Sequence, residues 1–158
     1  MDSLIKLLKG NARLSNEQLA VMLGVTPEEV AARIADYEKR GVIKGYSVIL
    51  NEELADKNAV TAFIEVKVTP KADFGFDELA RTIMMYDEDS VTLMSGSFDL
   101  AVTLSGTNYK EIALFVAKRL SSIDGVISTS THFVLKQYKE QGFFIENEAA
   151  DERGFVSP

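Results

Sequence analysis

Helical spacing of apolar residues and strong turn signals dominate the first fifty residues of the chain. Ser15 and Gln18 form a capping box, which starts a helix. Gly24 ends that helix, because glycine adopts the left-handed conformation of a helix C-terminus without a Cβ clash. The apolar residues that recur at helical spacing within it are Leu19, Met22 and Leu23.

A second helix is predicted after a turn of about three residues, which is the helix-turn-helix spacing. Thr26 is its N-cap, Pro27 suits the first helical position, and Glu29 completes a second capping box. Gly41 ends it, and its predicted buried stripe is Val30, Ile34 and Tyr37. A short apolar helix near the N-terminus packs as the third member of the bundle; its apolar residues are Leu4, Ile5, Leu7 and Leu8.

The sequence becomes rich in β-forming residues after Gly41. Residues 42–50 predict a wing strand, so the first unit is expected to be a winged helix-turn-helix spanning residues 1–50. The alternative is a plain helical bundle followed by a β connector.

An α+β domain is predicted over residues 59–138, after a linker at 51–58 and before a tail at 139–158. Its first strand alternates with a period of two, and Pro70–Asp73 ends it. The order of elements is β-α-β-β-α-β, a ferredoxin-like plan with an antiparallel sheet and helices on one face. The open face needs a partner, and a second copy is the simplest one. We expect that face to carry Phe63, Thr129, Thr131 and Phe133.

Charge is unevenly distributed along the chain, whose net charge is −7. Residues 1–50 sum to +1 and residues 51–158 to −8, so the acidity belongs to the second part and DNA binding by the first is not excluded. The chain contains no cysteine, which excludes disulfides. The start of the chain lacks a signal-peptide pattern, so a cytoplasmic location is expected.

The predicted recognition helix, Thr26 to Arg40, is expected to enter the DNA major groove. Glu28 and Glu29 lie in its first turn, where a carboxylate accepts a hydrogen bond from cytosine N4 but repels phosphates. With Thr26 and these two glutamates, the candidate DNA contacts include five cations. These are Arg13, Arg33, Lys39, Arg40 and Lys44, for which a solvated surface charge is the alternative interpretation.

Three stretches resemble the Lrp/AsnC family of feast/famine regulators. They are residues 11–20 (NARLSNEQLA), 23–26 (LGVT) and 38–46 (EKRGVIKGY). In that family the first leads into the helix-turn-helix, the second precedes the recognition helix, and the third enters the strand toward a ligand domain. The resemblance covers nearly the whole chain. The short leading helix and the acidic recognition helix depart from the family's pattern.

The resemblance implies a sensor function for the second domain. Family members dimerise through this domain, assemble into tetramers or octamers, and bind amino acids or related molecules between dimers. The family's Gly-x-x-Asp turn resembles Gly96-Ser97-Phe98-Asp99, and its TxT stretch resembles Thr129 to Thr131. A carboxylate suits an α-ammonium group and hydroxyls suit a polar tail. The alternatives are an ordinary hairpin turn and ordinary strand threonines.

Nothing in the sequence favours an enzyme. His132 is the only histidine, and no P-loop, dinucleotide-binding turn or nucleophile elbow is present. We expect no metal and no cofactor. The sequence therefore predicts a homo-oligomeric, DNA-binding transcription regulator that responds to an amino acid. The rivals are a ligand-binding oligomer that has lost DNA affinity and contacts protein, and a small enzyme on a ferredoxin-like scaffold.

Overall fold

The computed structural model describes residues 1–69, 75–86 and 89–145. The chain divides into an N-terminal unit, Met1–Val48, and a C-terminal unit, Ile49–Pro158. The predicted strand end at Pro70–Asp73, the acidic residues Asp87 and Glu88, and the distal tail with Phe155 and Val156 lie outside the described residues. Within the described ranges, no helix has the length and apolar character needed to cross a membrane.

The N-terminal unit consists of helices α1 (Ser3–Gly10), α2 (Asn16–Leu23) and α3 (Pro27–Lys39). Each begins at a residue whose side chain accepts a backbone N–H of the first turn; these N-caps are Asp2, Ser15 and Thr26. The capping box at Ser15 is complete, because Gln18 also accepts the Ser15 N–H. Gly24 ends α2 with a φ of 68°, a left-handed conformation that favours glycine. The helix-turn-helix prediction is confirmed.

The core of this unit lies where the three helices meet, and it comprises the buried residues Leu4, Leu19, Ala20 and Val30. Ile34 and Tyr37 pack against it, as the stripe on α3 predicted. Met22 does not, since its side chain is 59% exposed. Helix α2 packs the face with Leu19 and Leu23 against this core instead.

The predicted wing strand does not form within one chain. Residues 43–50 are neither helical nor paired as a strand. A strand needs the backbone groups of a neighbouring strand, and the elements of the N-terminal unit are all helices. Tyr46 is nevertheless fixed, because its hydroxyl donates to Glu38 Oε1 at 2.9 Å.

The C-terminal unit has the predicted β-α-β-β-α-β order. Its elements are α4 (Glu52–Ala55), β1 (Val60–Val68), α5 (Phe76–Ile83), β2 (Ser90–Leu93), β3 (Leu100–Gly106), α6 (Tyr109–Lys118), a 3-10 turn (Leu120–Ser122), β4 (Val126–Phe133), β5 (Lys139–Glu140) and β6 (Phe143–Phe144). The main sheet has the order β2-β3-β1-β4, and all its neighbouring strands are antiparallel. The ferredoxin-like prediction is confirmed.

One face of this sheet forms the core with the two longer helices. Ile64 on β1 and Val102 on β3 are fully buried there against Leu79 of α5 and Ile112 of α6. The alternate residues of β1, such as Phe63, point to the other face, away from α5 and α6.

The predicted positions of the β4 threonines are wrong. Thr129 pairs with Val66, and Thr131 pairs with Ile64. Opposed residues of antiparallel strands share a face, so both threonines, like Phe133, lie on the helix side of the sheet. Only Phe63 of the four predicted open-face residues is there. The sheet face that each β4 residue occupies depends on the register of β4 with β1. The mixed apolar and hydroxyl composition of β4 does not determine this register.

The linker and the proximal tail contact each other inside the C-terminal unit. Asn51 Oδ1 accepts the Leu54 N–H at 3.3 Å and so caps α4. Asn51 Nδ2 donates to the carbonyl of Ile145 at 3.0 Å, just after the β5–β6 hairpin. The sequence predicted neither this helix nor this hairpin.

Candidate DNA-reading and effector sites

Helix α3 is fixed at its start by Thr26 and Pro27. Thr26 Oγ1 accepts the Glu29 N–H at 3.2 Å, and Pro27 occupies the first turn. Among the described contacts the Glu29 side chain does not return a bond to Thr26, so the predicted second capping box is only half formed. The carboxylates of Glu28 and Glu29 suit the positive end of the helix dipole.

The side of α3 opposite its buried stripe carries Glu28, Ala32, Ala35 and Lys39, which we call the outward stripe. These residues follow the spacing i, i+4, i+7 and i+11 of one helix face, and all are exposed. The middle of the stripe is made of methyl groups, with one carboxylate at its N-terminal end and one ammonium at its C-terminal end. Such a surface permits close approach of another molecule to the helix backbone.

Arg33 lies on a different side of α3 and is held inside the unit. Its Nη2 donates to both carboxylate oxygens of Asp2, each at 2.9 Å. Asp2 also accepts the Leu4 N–H at 2.8 Å, and this bond together with the Arg33 charge lowers the pKa of Asp2. A hydrogen bond with Tyr37, followed by the Asp2 charge, raises the pKa of Arg33. Arg33 therefore joins α3 to the start of α1.

The five predicted cations divide into two groups. Arg40, like Arg33, has an internal partner: its Nε lies 2.9 Å from Asp36 Oδ2, and its guanidinium lies 5.4 Å from the centre of the Tyr37 ring. Arg13, Lys39 and Lys44 are exposed and form no side-chain hydrogen bond or ion pair with the described residues. Only this second group offers an uncommitted positive charge.

The turn Gly96–Asp99 connects β2 to β3 and is fastened to β1. Asp99 Oδ2 accepts the Val68 N–H at 2.8 Å, and the Asp99 N–H donates to the Val66 carbonyl at 3.1 Å. The φ of Gly96 is 146°, a conformation that side chains rarely adopt. Asp99 thus has one carboxylate oxygen engaged in holding the turn.

The structure does not bring all predicted effector residues together. Asp99 meets β1 from the β3 side, whereas Thr129 and Thr131 lie on β4, across β1. Thr129 Oγ1 is 3.3 Å from Ser121 Oγ. Ser97 is exposed in the turn, and the Phe98 ring contacts Phe63 edge-on at 6.0 Å. Within one chain the turn and the threonines are therefore separate groups.

The open sheet face holds a cluster that sequence reasoning missed. Phe63 lies 6.3 Å from the ring of His132, and His132 Nε2 lies 3.5 Å from Glu65 Oε1. His132 is half-exposed on this face. The alternation of β1 could have placed Phe63 and Glu65, but the register of β4 was needed to place His132. In the described part of the chain, no three His, Cys, Asp or Glu residues form a group suited to a metal.

Comparison with known proteins agrees with both units. A family model described as the Lrp/AsnC ligand binding domain matches residues 61–142, and one described as winged helix-turn-helix DNA-binding matches residues 3–44. The HTH-type transcriptional regulator YugG of Bacillus subtilis is 43% identical over 98% of this chain and 95% of its own length. The leucine-responsive regulatory protein of Haemophilus influenzae is 30% identical over 87% of this chain and 83% of its own length.

Solved structures show the same fold. Escherichia coli AsnC superposes with a TM-score of 0.68 at 21% identity, covering 89% of this chain and 95% of AsnC. A transcriptional regulator of Neisseria meningitidis, solved with L-methionine, gives a TM-score of 0.72 at 24% identity, covering 89% and 93% of the two chains. The molecule is a DNA-binding transcription regulator of the winged helix-turn-helix class. It belongs to the Lrp/AsnC family, which is a family of regulators and not of enzymes.

Proposed function

We propose that this regulator reads DNA with α3 and changes its DNA affinity when an amino acid or a related small molecule binds the C-terminal unit. The observation that carries the proposal is the outward stripe, an exposed helix face with small side chains at its middle. The second helix of a helix-turn-helix enters the major groove. Arg13, Lys39 and Lys44, which form no ion pair with the described residues, carry positive charges that suit phosphates.

The proposed phosphate contacts are Arg13, Lys39 and Lys44, because their charges have no internal partner among the described residues. Thr26 presents its backbone and hydroxyl groups at the N-terminal end of α3, the end opposite to Lys39. To bind phosphates, Arg33 would have to break its ion pair with Asp2, and Arg40 its ion pair with Asp36. Their proposed part in DNA binding is therefore to hold α3 in place.

The proposed effector site centres on the turn Gly96–Asp99. Oδ1 of Asp99 has no hydrogen bond among the described residues, so it is available for an α-ammonium group, while Oδ2 holds the turn. The bare backbone of Gly96 and the exposed Ser97 offer further polar contacts. The L-methionine bound by the Neisseria regulator supports an amino-acid effector.

Thr129 and Thr131 lie across β1 from that turn, so they join the site only where the polar tail of a ligand or a second copy spans the distance. A homodimer built on the open sheet face is part of the proposal, with further assembly to a tetramer or an octamer. The rings of Phe63 and Phe98 on that face support a second copy as its occupant.

The test is binding of the purified protein to DNA from upstream of its own gene and to a random fragment, at about 50 and about 200 mM salt. Replacing a phosphate contact reduces the magnitude of the slope of log K against log salt by about 0.9. We expect preference for the upstream fragment and a smaller slope in Lys39→Gln. Individual L-amino acids are then added, and one that changes the Kd identifies the effector class.

A second candidate function is a ligand-binding oligomer with weakened DNA affinity that acts through protein contacts. The acidic first turn of α3 and the internal pairing of Arg33 and Arg40 favour it. Weak binding without preference for any genomic fragment, even at low salt, would support this second function and contradict the first.

A further inference from the structure

We propose that Glu28 is a specificity-determining residue that selects cytosine in each half-site, whereas the adjacent Glu29 contacts no base. The inference deepens the proposed function and rests on α3 reading the major groove. Two glutamates next to each other in sequence thus have different roles, because a helix turns about 100° per residue.

Glu28 begins the outward stripe. Base edges are read mainly by the N-terminal residues of a recognition helix, and Glu28 is the second residue of α3. Its side chain is exposed and has no hydrogen bond or ion pair with any described residue. The carboxylate is therefore free to accept a hydrogen bond from a ligand.

The stripe gives Glu28 access to the groove floor. The next residues along it are Ala32 and Ala35, whose methyl groups let the helix approach closely and can contact a thymine methyl. Lys39, the other polar member, lies about 16 Å further along the helix axis and is suited to a phosphate. Glu28 is the hydrogen-bonding group of the stripe nearest the N-terminus of α3.

The carboxylate determines which base fits. A carboxylate only accepts, so its partner is an exocyclic amino group, which the major groove offers at cytosine N4 and adenine N6. Adenine places the N7 acceptor beside N6, and that lone pair repels a carboxylate. Cytosine has no such acceptor beside N4, and we therefore assign cytosine.

Glu29 lies on the flank of α3 that is turned toward α1. It shares that flank with Arg33, which is spaced four residues away and binds Asp2 at the start of α1. The two glutamates have the same charge and occupy the same helical turn, so Glu29 is a matched control for Glu28. Neutralising either one reduces repulsion from phosphates by a similar amount.

The experiment selects half-sites from a randomised duplex library with the full-length protein, Glu28→Gln and Glu29→Gln, at one salt concentration. Kd values are then measured on duplexes that differ only at the selected position. We expect the wild type to prefer cytosine at one position of each half-site. Glutamine bonds adenine at N6 and N7, so Glu28→Gln is expected to change the cytosine-to-adenine affinity ratio by about tenfold or more in favour of adenine.

Glu29→Gln should keep the wild-type base preference and bind all sequences more tightly by a common factor. An unchanged preference in Glu28→Gln, or an equal change in Glu29→Gln, would overturn the inference while leaving DNA binding intact. A wild-type preference for adenine at the position altered by Glu28→Gln would overturn the cytosine assignment. Failure of the wild type to enrich any sequence would instead refute the proposed function, and the inference with it.

Discussion

The exposed face of α3 and the open face of the sheet differ in chemistry. The outward stripe has two alanines between a glutamate and a lysine, whereas the sheet face groups the rings of Phe63, Phe98 and His132. Small and charged groups suit the hydrated, negatively charged major groove of DNA. Aromatic rings suit a dry protein interface. This difference in chemistry is the basis for the proposal that the outward stripe binds DNA and the sheet face binds a second copy of the chain.

The largest expected effect comes from removing the uncommitted cations. Lys39→Gln combined with Lys44→Gln should weaken DNA binding by about a hundredfold at 50 mM salt and reduce the magnitude of the salt slope by about 1.8. Fluorescence anisotropy with a labelled duplex measures both. Arg40→Gln is the control, since Arg40 is already paired with Asp36. An equal loss of DNA affinity in Arg40→Gln would show that its ion pair with Asp36 does not keep a cation from binding DNA.

The sheet face is tested by placing a charge on it. Phe63→Asp should weaken dimerisation by at least about tenfold, because a buried, unpaired carboxylate is unfavourable at an apolar interface. Analytical ultracentrifugation over a concentration series measures the change. Leu114→Asp introduces the same charge on the exposed side of α6, where Leu114 is 42% exposed. If Phe63→Asp sediments like the wild type, the open face is not the dimer interface.

A smaller effect is expected from substitutions of Asp99. Two different substitutions separate its role in holding the turn from its proposed role in binding the effector. Asp99→Asn keeps an acceptor for the Val68 N–H but loses the negative charge, so the fold should persist and amino-acid binding should weaken. Asp99→Ala leaves that N–H without its partner and should destabilise the unit by about 1 to 3 kcal/mol. Thermal melting and calorimetric titration distinguish the two. Full amino-acid affinity in Asp99→Asn would show that the carboxylate only positions the turn.

The smallest expected effect is the pH dependence of the Asp2 contacts. Because folding lowers the pKa of Asp2 below its ordinary value of 3.8, the carboxylate stabilises the folded state above that pH. This contribution is lost as the pH falls through the lower, folded-state pKa. Asp2→Asn should therefore be less stable than the wild type at neutral pH, and the gap should close in acid. A pH-independent gap in urea midpoints would show that the charge of Asp2 does not matter.

Local signals in the sequence predicted the helical unit well. Ser15, Gly24 and Thr26 act through neighbours at most a few residues away, so the bounds of α2 and α3 follow from them. The alternation of β1 likewise predicted its buried face. Both signals involve residues that are close together in the sequence. Both predictions hold because the folded core buries the faces that these patterns indicate.

Contacts between distant residues were not predictable. Asp2 and Arg33 are 31 positions apart, as are Val68 and Asp99, and no local pattern joins either pair. The DNA-contact prediction for Arg33 could not anticipate its internal partner. The β4 threonines were assigned to the wrong face because parity on an edge strand depends on register.

The proposal that the outward stripe of α3 lies in the major groove can be tested by disulfide cross-linking, because the chain contains no native cysteine. Ala32→Cys places one thiol at the middle of the stripe, and Met84→Cys places one on an exposed residue after α5. Each variant is mixed with a selected duplex carrying a thiol-tethered base in the major groove. We expect a disulfide cross-link for Ala32→Cys and none for Met84→Cys. Tight DNA binding by Ala32→Cys without any cross-link, at each base of the half-site, would contradict the proposal.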